Sequence, residues 1–438
     1  MTALRQRLEA YFEFAALGTT WSTEALAGCT TFVTMAYIVF VNPAILRDAG
    51  MPFSAVTAAT CLSAALGSLL MGAFARYPIA LAPGMGLNAY FTYAVCQGMG
   101  VPWQTALGAV FVSGIAFLAL TAAGIRQLVV AAVPRELYAA VAAGIGFFIA
   151  FIGLRNAGIV AADPATFVRL GNLTTPGARL ALFGLLLTGA LLAWQVRGAM
   201  LLGILATTAV GVATGVAQWS PMAYSVTDLS QTFFALEVGP ALRLGLLEIV
   251  FVFLFVDLFD NLGTLVAVGK KAGLFTGDNR IPRLNRILFS DACATTVGAV
   301  AGTSTVVSYI ESAAGVAAGG RTGVTAIVTG LLFLVALPLA PLVGAVPVAA
   351  TAPAQILVGS LMMTTVAEID WRDPVVAVSA FLTLVTIPLT FSIANGLSFG
   401  FVAYAALRAA RGQIRGTNPF VFVLAALLIL RFLYLGSG

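Results

Sequence analysis

Fifteen apolar runs follow one another along the chain, each bounded by charge or by Pro and Gly. They are Leu26–Leu46, Ala55–Phe74, Ile79–Cys96, Thr105–Ala123, Leu137–Gly153, Leu180–Trp194, Met200–Ala217, Leu244–Val268, Ile287–Ala301, Val306–Ala318, Thr325–Val343, Ala349–Met363, Val375–Phe391, Leu397–Ala410 and Phe420–Leu435. A bilayer-spanning helix needs about 20 predominantly apolar residues. In lipid every backbone polar group must be satisfied internally, so such runs read as helices. Of the 438 residues 60% are hydrophobic and 9% charged, against about a quarter charged in a typical soluble domain. A soluble enzyme, a disordered chain and a receptor with a large soluble domain are excluded. Fourteen runs fit an all-α polytopic membrane protein. The fifteenth, Phe420–Leu435, either spans or lies on the surface, and the side of the C-terminus turns on it.

The loops carry a charge bias. With the N-terminus in the cytoplasm, sixteen Lys and Arg fall inside and five outside, with Arg431 set aside. Basic residues concentrate in cytoplasmic loops, so fourteen spans with a cytoplasmic N-terminus fit. The net charge of +5 follows from the same bias and does not call for nucleic acid. Met1–Glu24 reads as a short amphipathic helix with Arg5, Arg7, Glu9 and Glu13. The first apolar run is long enough to span and has no small-residue cleavage pattern behind it, so no cleavable signal peptide is expected.

Seven spans per half would start the second half on the opposite side, the layout of an inverted repeat. Two echoes accompany this. Ala132-Val133-Pro134 precedes span five and Ala345-Val346-Pro347 precedes span twelve, with Gly146 and Gly359 at equal distances beyond. Gly84 aligns with Gly302, near the starts of spans three and ten.

Histidine is absent, which removes imidazole from metal ligation and from proton transfer. Carboxylates are left as proton carriers. Cys29, Cys61, Cys96 and Cys293 lie in apolar segments without CxxC spacing and read as packing residues. An ionisable group inside a span is costly and faces a cavity or a partner. In span eight, Phe253, Asp257, Asp260 and Thr264 share one helical face. In span ten, Ser304, Ser308, Glu311 and Ser312 would form a polar stripe if helical. Gly302, Thr303 and Ser304 suit a helix that begins partway through the membrane, and the β-branched residues after them are equally compatible with an extended segment. In span three, Pro83, Gly84 and Gly86 interrupt the run and place Asn88 in the first turn of a following half-helix. Broken helices leave N–H groups free for a substrate. Thr30, Thr31 and Thr34 read as helix packing, Asp291 as a cap or a partner for a basic loop residue, and Lys270 and Lys271 as topology determinants.

Hydrogen-bonding groups, aromatic residues and carboxylates without a fixed cation suit a flat, neutral, hydrogen-bonding substrate. Buried carboxylates make proton coupling the natural mechanism. The motifs Leu26–Ile38, Ala82–Phe91, Phe255–Leu265 and Gly302–Gly315 resemble those of the nucleobase–cation symporters of the nucleobase/ascorbate transporter group, and among them the AzgA-like purine permeases. The resemblance implies fourteen helices in two inverted repeats of seven, with helices three and ten interrupted by short extended segments. It implies a core (25–125 and 244–343), a gate (126–243 and 344–411) that mediates a homodimer, a cytoplasmic 1–24 and a C-terminal 412–438 with an extra hydrophobic helix. It implies proton-coupled import of hypoxanthine, guanine or adenine across the cytoplasmic membrane by alternating access of elevator type, with no cofactor, no metal and no enzymatic activity. By position, Asp257 and Glu311 would bind the purine and couple protons. Asn88 and Asp260 would lie at the substrate, as would backbone groups of Ala89 and Ile310.

Uracil or xanthine transport on the same fold is the alternative, and a channel a more distant one. An intramembrane aspartyl protease is set aside, because Asp257 and Asp260 share one helix and no GxGD motif occurs.

Overall fold

The computed structural model describes residues 2–124, 134–219, 226–243, 247–271 and 282–435. Ala132 and Val133 lie outside these, as do the side chains of Asp260, Lys270 and Lys271. The principal elements, in chain order, are α1 (Thr2–Tyr11), α2 (Trp21–Met35), α3 (Ile38–Arg47), α4 (Phe53–Leu70), β1 (Leu81–Pro83), α5 (Met85–Ala89), α6 (Trp103–Ala122), α7 (Arg135–Asn156), β2 (Val160–Asp163), β3 (Phe167–Leu170), α8 (Pro176–Ala193), α9 (Ala199–Ala213), α10 (Leu247–Lys271), α11 (Leu284–Ala301), β4 (Val306–Ser308), α12 (Ser312–Ala317), α13 (Gly323–Ala336), α14 (Val348–Met362), α15 (Pro374–Thr390), α16 (Ile393–Ala410) and α17 (Pro419–Leu435). Among the described residues, seven helical stretches are long and apolar enough to cross a membrane. Four shorter apolar helices of 10–17 residues accompany them.

The helices pack in two groups. In one, α2 to α6 pack with α10 to α13, through the α6–α11, α2–α13 and α4–α13 contacts. In the other, α7 to α9 pack with α14 to α17, through α7–α14, α7–α15 and α15–α16. Close packing of the second group relies on two glycines. Gly146 on α7 and Gly359 on α14 face each other, and a Cβ on either would meet the backbone oxygen of the other. Each lies twelve residues beyond the proline, Pro134 or Pro347, that opens its helix. The first sequence echo therefore marks one real helix crossing.

Between the two interrupted spans runs a two-stranded antiparallel ribbon. Leu81 pairs with Ser308, Ala82 with Val307 and Pro83 with Val306. The pairing extends through Gly84 N–H to the Thr305 carbonyl (2.9 Å) and Tyr309 N–H to the Ala80 carbonyl (3.0 Å). A two-stranded ribbon has two open edges, and each exposed amide or carbonyl among apolar helices is costly. Hydroxyls close both edges. Ser68 of α4 accepts from Leu81 N–H at 2.9 Å and bonds its carbonyl at 3.1 Å. Thr295 of α11 accepts from Val306 N–H at 3.2 Å and bonds its carbonyl at 2.9 Å.

Two sequence expectations change here. Residues 304–311 form no helical stripe: 306–308 are a strand, the extended alternative for this stretch, and the helix begins only at Ser312. Gly302 is not the counterpart of Gly84. It closes α11 in a left-handed conformation (φ 98°), which favours glycine, whereas Gly84 caps α5.

The N-terminal segment docks on the first group. Arg76 donates to the Tyr11 carbonyl at 2.8 Å, and Glu13 bridges Arg76 and Arg283, each at 3.2 Å.

Candidate functional site

The ribbon brings the starts of two short helices together, and three polar clusters surround them. The first lies on α10. Asn261, one turn beyond Asp257, is buried with it on the same face. The two protons of the Asn261 amide serve Asp257 Oδ1 at 2.8 Å and Asp291 Oδ2, from α11, at 2.6 Å. Its oxygen accepts from Ser308 N–H at 2.8 Å. Thr295 Oγ1 lies 3.3 Å from Asp257 Oδ2. One amide thus joins two carboxylates to the ribbon. Asp291, expected to cap or to meet a basic loop residue, lies buried and accepts from Asn261.

The second cluster centres on Glu311, which immediately precedes α12. The Tyr37 hydroxyl, at the break between α2 and α3, donates to Glu311 Oε1 at 2.6 Å. Glu311 is half-buried and Ile310 is 50% exposed. This end of span ten faces open space, while Asp257 is sealed. The Tyr309 hydroxyl donates to the Pro83 carbonyl at 2.5 Å and holds the two interruptions together.

The third cluster is around Asn88 on α5, which is fully buried. Its amide nitrogen donates to the Asn42 oxygen and its oxygen accepts from the Ser304 hydroxyl. Ala89 beside it is buried. Aromatic rings flank the region: Tyr90 and Phe253 meet edge to face at 5.4 Å.

The structure therefore gathers Asn88, Ala89, Asp257, Ile310 and Glu311 around the ribbon; the Asp260 side chain lies outside the described residues. Sequence reasoning missed Tyr37, Asn42 and Asn261. Asn261 carried a usable signal, since it stands four residues beyond Asp257 and so shares its face. Of the threonines of span one, Thr30 bonds the Leu26 carbonyl and Thr34 the Thr31 carbonyl, both within their own helix, whereas the buried Thr31 hydroxyl has no hydrogen-bond partner among the described residues. All four cysteines are free thiols.

A buried carboxylate pair, a half-buried carboxylate and a broken-helix crossing lie together among helices apolar enough to cross a membrane. The Permease family profile matches residues 22–399, and the chain belongs to that family, in its AzgA-like branch. It is 42% identical over 430 residues to the adenine permease AdeP of Escherichia coli, covering 98% of this chain and 97% of that one. It is 43% identical over 440 residues to the guanine/hypoxanthine permease PbuG of Bacillus subtilis, covering 98% and 100%. Among solved structures, the transmembrane domain of the cyanobacterial bicarbonate transporter BicA superposes with a TM-score of 0.64 at 15% identity, covering 86% of this chain and 97% of that one. That likeness shows a shared fold. The chain is a multi-pass membrane permease.

Proposed function

We propose that this chain imports purine nucleobases (hypoxanthine, guanine or adenine) together with protons across the cytoplasmic membrane. The observation that carries the reading is full-length similarity above 40% identity to permeases named for adenine and for guanine/hypoxanthine. The site chemistry is consistent with it. Glu311 accepts from Tyr37 through one oxygen. Its other oxygen is then left to accept from a ring N–H or, when protonated, to donate to a ring nitrogen. Asp257 and Glu311 are the proposed proton carriers, with the purine held between spans three, eight and ten.

The proposed architecture is fourteen spans in two inverted repeats, with a cytoplasmic N-terminus. The matching hydroxyl clasps of Ser68 and Thr295, on spans two and nine, support the repeat. On this reading the first packing group is a moving core (25–125 and 244–343), and α7 to α9 with α14 to α16 are a gate (126–243 and 344–411), with α17 in the C-terminal segment. Their relative displacement would give elevator-type alternating access, with the gate forming a homodimer.

The test is labelled hypoxanthine uptake into proteoliposomes under an inward proton gradient, with adenine, guanine, xanthine and uracil as competitors. Saturable uptake, lost on collapse of the gradient and blocked by purines, is expected. Inhibition by uracil or xanthine alone would replace the substrate, and gradient-independent uptake would remove proton coupling.

A further inference from the structure

We propose that Asn42, on α3, is a positioning residue that sets which atom of Asn88 faces the substrate. This rests on the purine reading above. Asn42 is fully buried. Its two N–H groups go to Thr60 Oγ1 at 2.7 Å and Thr303 Oγ1 at 3.1 Å. Its oxygen accepts from the Asn88 amide, and the Asn88 oxygen accepts from Ser304. One side chain thus ties span one to span two, to the lead-in of span ten and to the half-helix of span three.

The polarity of this chain is fixed from its far end. The Thr60 hydroxyl donates to the Val56 carbonyl at 2.6 Å. A hydroxyl has one proton, so Thr60 can only accept from Asn42. The Asn42 nitrogen must then face Thr60 and its oxygen must face Asn88. The Asn88 nitrogen must in turn face Asn42, which leaves its oxygen toward Ser304. Each amide is locked against rotation by the one before it. Of Asn88, one N–H remains uncommitted. Asn88 therefore offers the base a donor, which selects an acceptor atom (a ring nitrogen or a carbonyl oxygen) at that edge.

The experiment is uptake kinetics in proteoliposomes for wild type, Asn42→Ala, Thr60→Val, Asn88→Ala and the double variant Asn42→Ala/Asn88→Ala, each checked for monodispersity and melting temperature. Asn42→Ala is expected to raise KM about tenfold, the loss of one positioned hydrogen bond, with the maximal rate within about twofold of wild type. The double variant should match Asn88→Ala in KM, because Asn42 acts through Asn88. An unchanged KM in folded Asn42→Ala, or losses that multiply in the double variant, would overturn the assignment. Should Asn42→Ala not fold, the near-isosteric Thr60→Val decides. It removes the acceptor that orients Asn42, and a KM equal to wild type would refute the relay. Wild type that carries no purine would instead sink the purine reading and the role of Asn88 with it.

Discussion

The Tyr37 hydroxyl lies 2.6 Å from Glu311 Oε1, joining the break in span one to the residue that opens the short helix of span ten. A charge-assisted bond of this kind is about twice as strong as a neutral one, and it fixes which carboxylate oxygen stays open. Tyr37→Phe should keep the fold and raise KM for purine by roughly threefold to tenfold. Glu311→Gln, which cannot carry a proton, should retain purine counterflow and lose acceleration by an inward proton gradient. Paired counterflow and gradient-driven uptake assays separate the two. Full gradient response in Glu311→Gln would exclude it as a carrier.

Asn261 holds Asp257 and Asp291 on one amide. Asn261→Ala leaves two buried carboxylates facing each other with no shared donor, and each lost charged hydrogen bond costs about 1.5–3 kcal/mol. The variant should be poorly expressed and inactive. Asp291→Asn is milder. It bonds Asn261, which in turn bonds Asp257, so the maximal rate should fall about tenfold or more while KM changes less than about threefold. A purely KM effect would place Asp291 at the substrate instead.

Glu24 is fully buried and accepts from the backbone N–H groups of Arg321 (2.9 Å), Thr322 (3.3 Å) and Thr325 (3.2 Å) at the start of α13. The hydroxyls of Thr19 and Thr325 complete the set at 2.8 and 2.6 Å. A carboxylate at a helix N-terminus satisfies orphan donors and opposes the macrodipole. Glu24→Ala removes the acceptor of three N–H groups, of which only Thr325 keeps another partner, the Thr322 carbonyl at 3.3 Å, and should cost on the order of 3 kcal/mol, read as a melting temperature in detergent lower by roughly 5 °C or more. Glu24→Gln should fall between. An unchanged melting temperature for Glu24→Ala would show that other groups fill the gap.

Gly86 on α5 sits against Ile145 on α7, where an added Cβ would strike the isoleucine Cγ2. The contact lies between the two packing groups, the surface along which an elevator movement would slide. Gly86→Ala should slow uptake severalfold at unchanged KM, and Ile145→Ala in the same chain should restore it. Failure of the second substitution to rescue would place the defect within α5 itself.

Several apolar spans were legible because long uninterrupted apolar runs in lipid favour helix. The interruptions at Pro83-Gly84 and near Ser304 were legible because proline, glycine and clustered hydroxyls are out of place in such runs. Short extended segments at both places were implied by the family resemblance, but their pairing into one ribbon was not legible, since three-residue strands carry no periodic signal. The polar stripe of span ten failed for that reason: Ser304, Ser308 and Ser312 are spaced for a helix, yet their backbone pairs across to span three. Gly302 misled because one residue type serves both helix endings and helix breaks. Asn42 was hidden in plain view, a single amide in an apolar run. Its importance depends on Thr60, Thr303 and Asn88, which only the folded chain brings beside it.

The ribbon also bears on how the chain is made. Leu81–Pro83 finds its backbone partners in Val306–Ser308, so the first half enters the membrane with an unsatisfied strand and must wait for more than two hundred further residues to be synthesised. During that interval Ser68 can cover one edge, and the other needs shelter from lipid, from the insertion machinery or from neighbouring helices. The two halves are thus interdependent at their most polar seam, and neither is expected to persist in the bilayer when expressed without the other.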